Sequence, residues 1–351
     1  MKNQKIRIGI TQGDINGIGY EIILKTLIDN RILELCTPVV YGSPKVAAYH
    51  RKTLNISDFS MNIIKSPEEA NPKRANIINC ISDDIRVELG KSTPAAGEAS
   101  WLSLKRAAED AKNGKLDALV TAPINKYNIQ SESFKFPGHT EFLKEFFNVD
   151  DVLMLMASDF LKVGLLTVHV PLKEVPSFLS EATICQKIRL MNRSLAEDFK
   201  IRRPKIAVLG LNPHSGEEGM LGKEENEIIK PAIETLKKEE LIVVGPYPAD
   251  GFFGSGNYMK FDGIFAMYHD QGLIPFKTLV RNEGINYTAG LPVIRTSPAH
   301  GTAYELAGKN LASHDSFRNA IYTACDIYRN RLFHSEITEN PLKPVDIKEL
   351  E

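Results

Sequence analysis

Short apolar runs recur along the chain, separated by stretches with three- and four-residue apolar spacing. Residues 5–10 (KIRIGI), 38–41 (PVVY), 116–121, 163–170, 205–211, 241–244 and 263–267 read as strands. Residues 20–28, 100–113 and 183–199 read as helices. In the second of these, Trp101, Leu104, Ala107, Ala108 and Ala111 share one side. Residues 92–97 and 252–256 read as loops. Strands alternating with helices predict an α/β fold with a largely parallel sheet. At 351 residues the chain exceeds one ordinary core, so two domains are expected.

Several strands run straight into polar, Gly- or Pro-rich segments: GITQGD, VTAPINK, LTVHVPL, VLGLNPHSGE and AMYHDQG. Ligands in open α/β sheets bind beyond the carboxyl ends of strands, so these five loops are expected to converge on one site. Composition narrows what binds there. The net charge is −1, which argues against nucleic acid or an anionic membrane as partner. No apolar stretch is long enough to span a bilayer, and the N-terminal apolar run is too short for a signal peptide. Cys36, Cys80, Cys185 and Cys325 lie far apart with no CxxC pair, which fits reduced thiols in the cytoplasm.

Three histidines follow strand ends: His169 in TVHVPL, His214 in LNPHSGE and His269 in YHDQG. Neutral imidazoles suit zinc and other first-row divalent ions, and catalytic sites commonly use three protein ligands. Each of the three alone reads better as a hydrogen-bonded loop residue, and only the repeat of the strand-then-His pattern favours ligands. Asp250 and Asp270 can serve as carboxylate ligands or as acceptors behind the imidazoles. His139 and Thr140 in PGHTEFL stand before a helical stretch, where donors and the helix dipole favour anions. Lys126, Lys277 and Arg295 can clamp phosphate or carboxylate. Gly17-Ile18-Gly19 resembles the start of a dinucleotide fingerprint, but Ile22 occupies the place of the third glycine. A turn glycine cluster lining the site is the better reading. His300-Gly301-Thr302 leads into a further turn, and Gly308 follows it, in a form that lets backbone N–H groups approach a dinucleotide.

Taken in order, GITQGDINGIG, TAPINK, PGHTEFL, HVPL, LNPHSGEEGMLGKEE, GPYPAD, YHDQG, GLPVIRTS and HGTAYELAG resemble the 4-hydroxythreonine-4-phosphate dehydrogenase (PdxA) family. The likeness spans roughly residues 6 to 320. It implies a two-domain fold similar to isocitrate and isopropylmalate dehydrogenases, with the active-site cleft between the domains. Residues 1–127 plus 297–351 would form a discontinuous domain with the dinucleotide loop. Residues 128–296 would form a central domain with the metal site and dimer interface. The resemblance implies that His169, His214 and His269 bind one divalent metal (Zn, Mg, Mn or Co) at a homodimer interface, with ligands from both subunits. It also implies that His139, Thr140, Lys277, Asn286 and Arg295 bind substrate, and that the loop with His300, Gly301, Thr302 and Gly308 holds NAD or NADP. Asp250 and Asp270 match acidic family positions near the metal. They stand with Lys277 as the catalytic candidates, a metal-bound water being the other candidate base. The implied reaction is oxidation of 4-(phosphooxy)-L-threonine with decarboxylation to 3-amino-2-oxopropyl phosphate, in pyridoxal 5'-phosphate biosynthesis. The alternative is oxidation of D-threonate or D-erythronate 4-phosphate in sugar-acid catabolism.

Overall fold

The computed structural model describes residues 5–340. The chain opens with β1 (Ile6–Thr11), α1 (Gly19–Leu27), α2 (Arg31–Leu35), β2 (Cys36–Gly42) and α3 (Pro44–Thr53). Next come β3 (Asn62–Ile64), β4 (Asn76–Asn79), the long α4 (Pro94–Lys112) and β5 (Ala118–Thr121). After α5 (His139–Phe146) follow β6 (Leu153–Ala157), β7 (Lys162–Leu165), α6 (Glu181–Glu197) and β8 (Lys205–Leu209). Then come α7 (Lys230–Lys238), β9 (Ile242–Tyr247), α8 (Ala249–Gly254), β10 (Gly263–Ala266) and α9 (His269–Val280). The described chain closes with β11 (Ile285–Ala289), β12 (Ile294–Pro298) and α10 (Asp315–Glu339).

The twelve strands among the described residues join one sheet in the order β3-β4-β2-β1-β5-β12-β11-β6-β7-β10-β8-β9. Both flanks are parallel, as the alternation of strands and helices predicts. The pairs β12–β11, β11–β6 and β6–β7 are antiparallel, so the two flanks run in opposite directions. Strands β2 and β5 are buried along their whole length, and β1 nearly so. The cause is helix cover on both faces. Ile8, Ile10 and Val120 pack in one cluster with Phe317 and Ile321 of α10, while Val39, Tyr41 and Leu119 pack in another with Leu104 and Ala107 of α4.

Three local expectations need correction. Residues 92–97 are not a loop, because α4 begins at Pro94, with the Thr93 hydroxyl accepting from the Ala96 N–H. Proline is preorganised for the first helical position, so the signal was present. The segment 252–256 overlaps the end of α8. The strand expected over 163–170 stops at Leu165. Leu166 and Thr167 still bond to Ala266 and Met267, but α9 then starts at His269 and the segment beyond has no ladder partner. His169 therefore sits on a free loop.

His50 of α3 shows how tightly the β1 flank is packed. Its ring is buried, its Nε2 lies 2.8 Å from the Ile15 carbonyl oxygen, and it stacks on Tyr20. Burial pulls its pKa from 6.5 down to about 4, against the opposing pull of the Ile15 carbonyl. Below pH 6.5 the unfolded chain takes up a proton that the folded chain refuses. Stability is therefore expected to fall as pH drops through that window, by up to ~1.4 kcal/mol per pH unit from this group. Urea unfolding at about pH 7 and about pH 5 checks this, and His50→Gln should reduce the loss. An undiminished loss in the variant would refute it.

Candidate functional site

The floor of the cleft that gathers most of the candidate residues is the face of the central strands. Alternation along β6, β11 and β12 turns Met154 and Met156, Asn286, and Arg295 and Ser297 to that face, with Thr121 beside them at the end of β5. The β5 loop, the His169 loop, the start of α5 and the start of α9 form its walls.

Arg295 is the electrostatic centre of the floor. It is 3% exposed. Its Nε and Nη2 donate to Thr121 Oγ1 at 3.1 and 2.7 Å, and its Nη1 donates to Thr288 Oγ1 at 3.1 Å. Among the described residues no carboxylate forms a salt bridge with it. Burial pulls its pKa down to about 10, opposed by the carboxylate of Glu141. A guanidinium has five N–H donors, so two remain for a ligand. A cation left buried without a counter-ion is costly unless an anion joins it.

The surroundings extend this character. His139 opens α5, and its buried Nε2 has no partner. Burial, with Arg295 and Lys126 nearby, holds its pKa well below 6.5, so its imidazole is neutral. Asn286 Oδ1 is likewise buried without a partner. Lys126, Lys277 and Thr140 line the same walls, and Glu141 is the one acidic side chain among the lining residues. Lys126 Nζ lies 2.7 Å from His169 Nε2. Burial lowers the pKa of Lys126, and Glu141 opposes that shift.

His169 and His269 face one another across the wall, with ring centroids 6.4 Å apart. Burial lowers the His169 pKa, as does Lys126, which favours the neutral ring. His269 Nδ1 lies 2.7 Å from Asp270 Oδ1, which orients the ring and leaves Nε2 as an electron-pair donor. This donor set suits a first-row divalent cation. Among the described residues of one chain, however, no group of three His, Cys, Asp or Glu side chains comes together to hold one. His214 is exposed on the turn after β8 and does not line the cleft. One chain thus brings two of the three imidazoles together and points the third elsewhere. Asp250 is also apart, in a separate shallow depression with Asp270, Phe253 and Ile274.

Three loops close the opposite end, around Asp14, which is fully buried. Asp14 Oδ2 accepts from Tyr304 OH at 2.7 Å and Asn128 Nδ2 at 2.8 Å, and Oδ1 accepts from the Asn16 N–H at 2.9 Å. The β1 loop, the β5 loop and the segment around residue 304 are thereby pinned together. The Ile18 N–H donates to the Thr302 carbonyl, and a Cβ on Gly17 would come within 2.7 Å of that oxygen. Gly17 therefore seats the 300–304 loop rather than lining the cleft, where the sequence suggested a lining role. His300 and Gly301 reach the cleft, and His300 Nε2 is buried without a partner. Gly308 packs against Leu89, outside the cleft lining.

Of the five strand-end loops expected to converge, those after β5, β7 and β10 line the cleft, the β1 loop underpins it, and the β8 loop lies apart. Sequence reasoning missed Thr121, Glu141 and Thr288. The alternation within NYT and IRTS was the available signal. Arg295 lies within β12.

Comparison with known proteins adds a family context. The sequence pattern described as "Pyridoxal phosphate biosynthetic protein PdxA" matches residues 34–324. A 4-hydroxythreonine-4-phosphate dehydrogenase of Bacteroides thetaiotaomicron is 54% identical over 344 residues, covering 98% of this chain and 94% of that protein. A protein of Oceanobacillus iheyensis provisionally named a D-threonate 4-phosphate dehydrogenase is 39% identical, covering 93% of this chain and 98% of its own. The crystal structure of 4-hydroxythreonine-4-phosphate dehydrogenase from Klebsiella pneumoniae superposes with a TM-score of 0.81 at 36% identity, covering 93% of this chain and 99% of that one.

Proposed function

This chain belongs to the PdxA family, and on that premise we propose that it oxidises 4-(phosphooxy)-L-threonine with NAD or NADP, with loss of CO2, giving 3-amino-2-oxopropyl phosphate. The fold is the mixed α/β fold of these dehydrogenases, related to that of isocitrate and isopropylmalate dehydrogenases. We also propose the domain division 1–127 plus 297–351 against 128–296, of which 1–4 and 341–351 lie outside the described residues. The strand order supports it, with β12 straddling the boundary.

The observation that carries the reading is Arg295, a buried cation with two spare donors and, among the described residues, no salt-bridged carboxylate. The proposed substrate carries a phosphate and a carboxylate. Arg295, Lys126 and Lys277 supply the matching positive charge, and the neutral His139 and Asn286 supply directional hydrogen bonds. His169 and His269, with His214 of a second copy, would hold a divalent metal. When bound, that metal supplies Lewis-acid polarisation of the oxygen at the carbon being oxidised. Asp270 fixes the His269 ring, while Met154, Met156, Val168 and Leu273 limit water over the reacting carbon. With a nicotinamide bound, the C3 hydroxyl would lose its proton as the C3 hydride is transferred, and the β-keto acid so formed would lose its carboxylate as CO2. Asp270 and Asp250 share a depression outside the cleft lining, so either would act as a base only from a neighbouring copy. The 300–304 loop, seated on Gly17, would hold the dinucleotide through its backbone.

The test is reduced-dinucleotide formation by purified enzyme with a divalent metal, offered 4-phospho-L-threonine and D-threonate 4-phosphate, each with NAD and NADP. Turnover of the first, abolished by a chelator, is the expected result. Preference for D-threonate 4-phosphate would replace the substrate assignment while keeping the chemistry.

A further inference from the structure

The turn that carries His214 is built in an unusual backbone conformation. His214, Ser215, Gly216, Glu217 and Glu218 have φ of 52°, 54°, 82°, 42° and 53°. Four of the five are not glycine. A left-handed turn crowds each Cβ against the following carbonyl, so it persists only where the surroundings impose it.

The surroundings here converge on Glu225, which is 1% exposed. Its Oε1 accepts from the Asn212 N–H at 2.7 Å and its Oε2 accepts from Asn212 Nδ2 at 3.0 Å. The same carboxylate lies against Gly216, where an added Cβ would come within 2.6 Å of Oε2. Glu225 itself starts the π-helical segment Glu225–Ile229 that runs into α7, so its base is rigid. Ser215 Oγ donates to the Pro246 carbonyl at 3.1 Å and ties the other side of the turn to β9. The result is that His214 is held outward from its own chain.

We propose that Glu225 is a positioning residue for the metal site of a second copy of this chain: it clamps the left-handed turn so that His214 is presented in trans. The inference rests on the reading of His214 as a ligand shared between subunits. It makes Glu225 act through His214 alone, with no contact to substrate or metal.

The experiment pairs subunits and counts metal bound per purified mixed dimer after dialysis. Glu225→Ala homodimers are expected to bind metal about tenfold more weakly than wild type. A Glu225→Ala subunit still has His169 and His269, so its mixed dimer with His169→Ala is expected to retain one intact site. Its mixed dimer with His214→Ala is expected to retain none. A merely destabilised subunit would rescue neither partner. Glu225→Gln keeps the volume and one acceptor. It should show the same pairing pattern with a smaller affinity loss, so a poorly folding alanine variant does not end the test. The inference falls if Glu225→Ala binds metal like wild type. It also falls if Glu225→Ala fails to rescue His169→Ala while His214→Ala does rescue it. Failure of the His169→Ala and His214→Ala pair itself overturns the shared-site reading beneath.

Discussion

Replacing Arg295 by Met is expected to lower kcat/KM by about a thousandfold while leaving the protein as stable as before, or more so. The two effects have one origin. Arg295 is buried against two threonine hydroxyls, and among the described residues no carboxylate forms a salt bridge with it. Burial pulling its pKa down to about 10 records the same unfavourable desolvation. Exchanging buried charges for apolar side chains of similar volume is often neutral or stabilising by about 1 to 4 kcal/mol. The guanidinium is thus a cost borne by the free enzyme and offset when an anion arrives, a common trade between stability and function. Thermal unfolding and steady-state kinetics on one preparation check both halves. Activity within a fewfold of wild type would show that the anion binds elsewhere. Arg295→Lys should recover little, because a single ammonium cannot bond both threonines and a ligand in the same plane.

Mixing two inactive variants is expected to restore activity. His169→Ala and His214→Ala should each be inactive as homodimers. His169 and His269 line one cleft, whereas His214 is exposed and outside its lining. If the third ligand comes from the neighbouring subunit, each mixed dimer contains one site with all three histidines and one with only His269. Random pairing makes half the dimers mixed, so about a quarter of wild-type activity should return. No restoration would mean that the histidines do not act across an interface. The apolar side chains near α9 and the His214 turn fit such an interface, with Met220 83% and Ile274 63% exposed.

Strands β3 and β4 and helices α3, α7, α9 and α10 were not read, whereas helices α1, α4 and α6 and strands β1, β2, β5, β7, β8, β9 and β10 were legible from their apolar patterns. KIRIGI and PVVY are buried on both faces and show it. The antiparallel centre was not legible. In β11 and β12 polar residues interrupt the apolar pattern, since Asn286, Arg295 and Ser297 face the cleft and not a helix. These strands break the pattern because they form the site. The candidate residues were named mostly through the family motifs, and their chemistry could be read from residue type. Their assembly could not. Nothing in the spacing distinguishes His214, which points outward, from His169 and His269, which meet. That difference lies in a left-handed turn fixed by Glu225, thirteen positions from Asn212.

The span of the contacts at Asp14 has a consequence for how the enzyme is made. Asp14 and Tyr304 are 290 positions apart, and Thr121 and Arg295 are 174 apart. During synthesis, the segment that completes the cleft leaves the ribosome 290 positions after Asp14 and 174 after Thr121. Until then the first strands can pair and bury their apolar faces, but Asp14 lacks its phenolic donor and Thr121 has no guanidinium beside it. The β1 flank must therefore remain soluble with its binding face unfinished while the intervening residues are still being made.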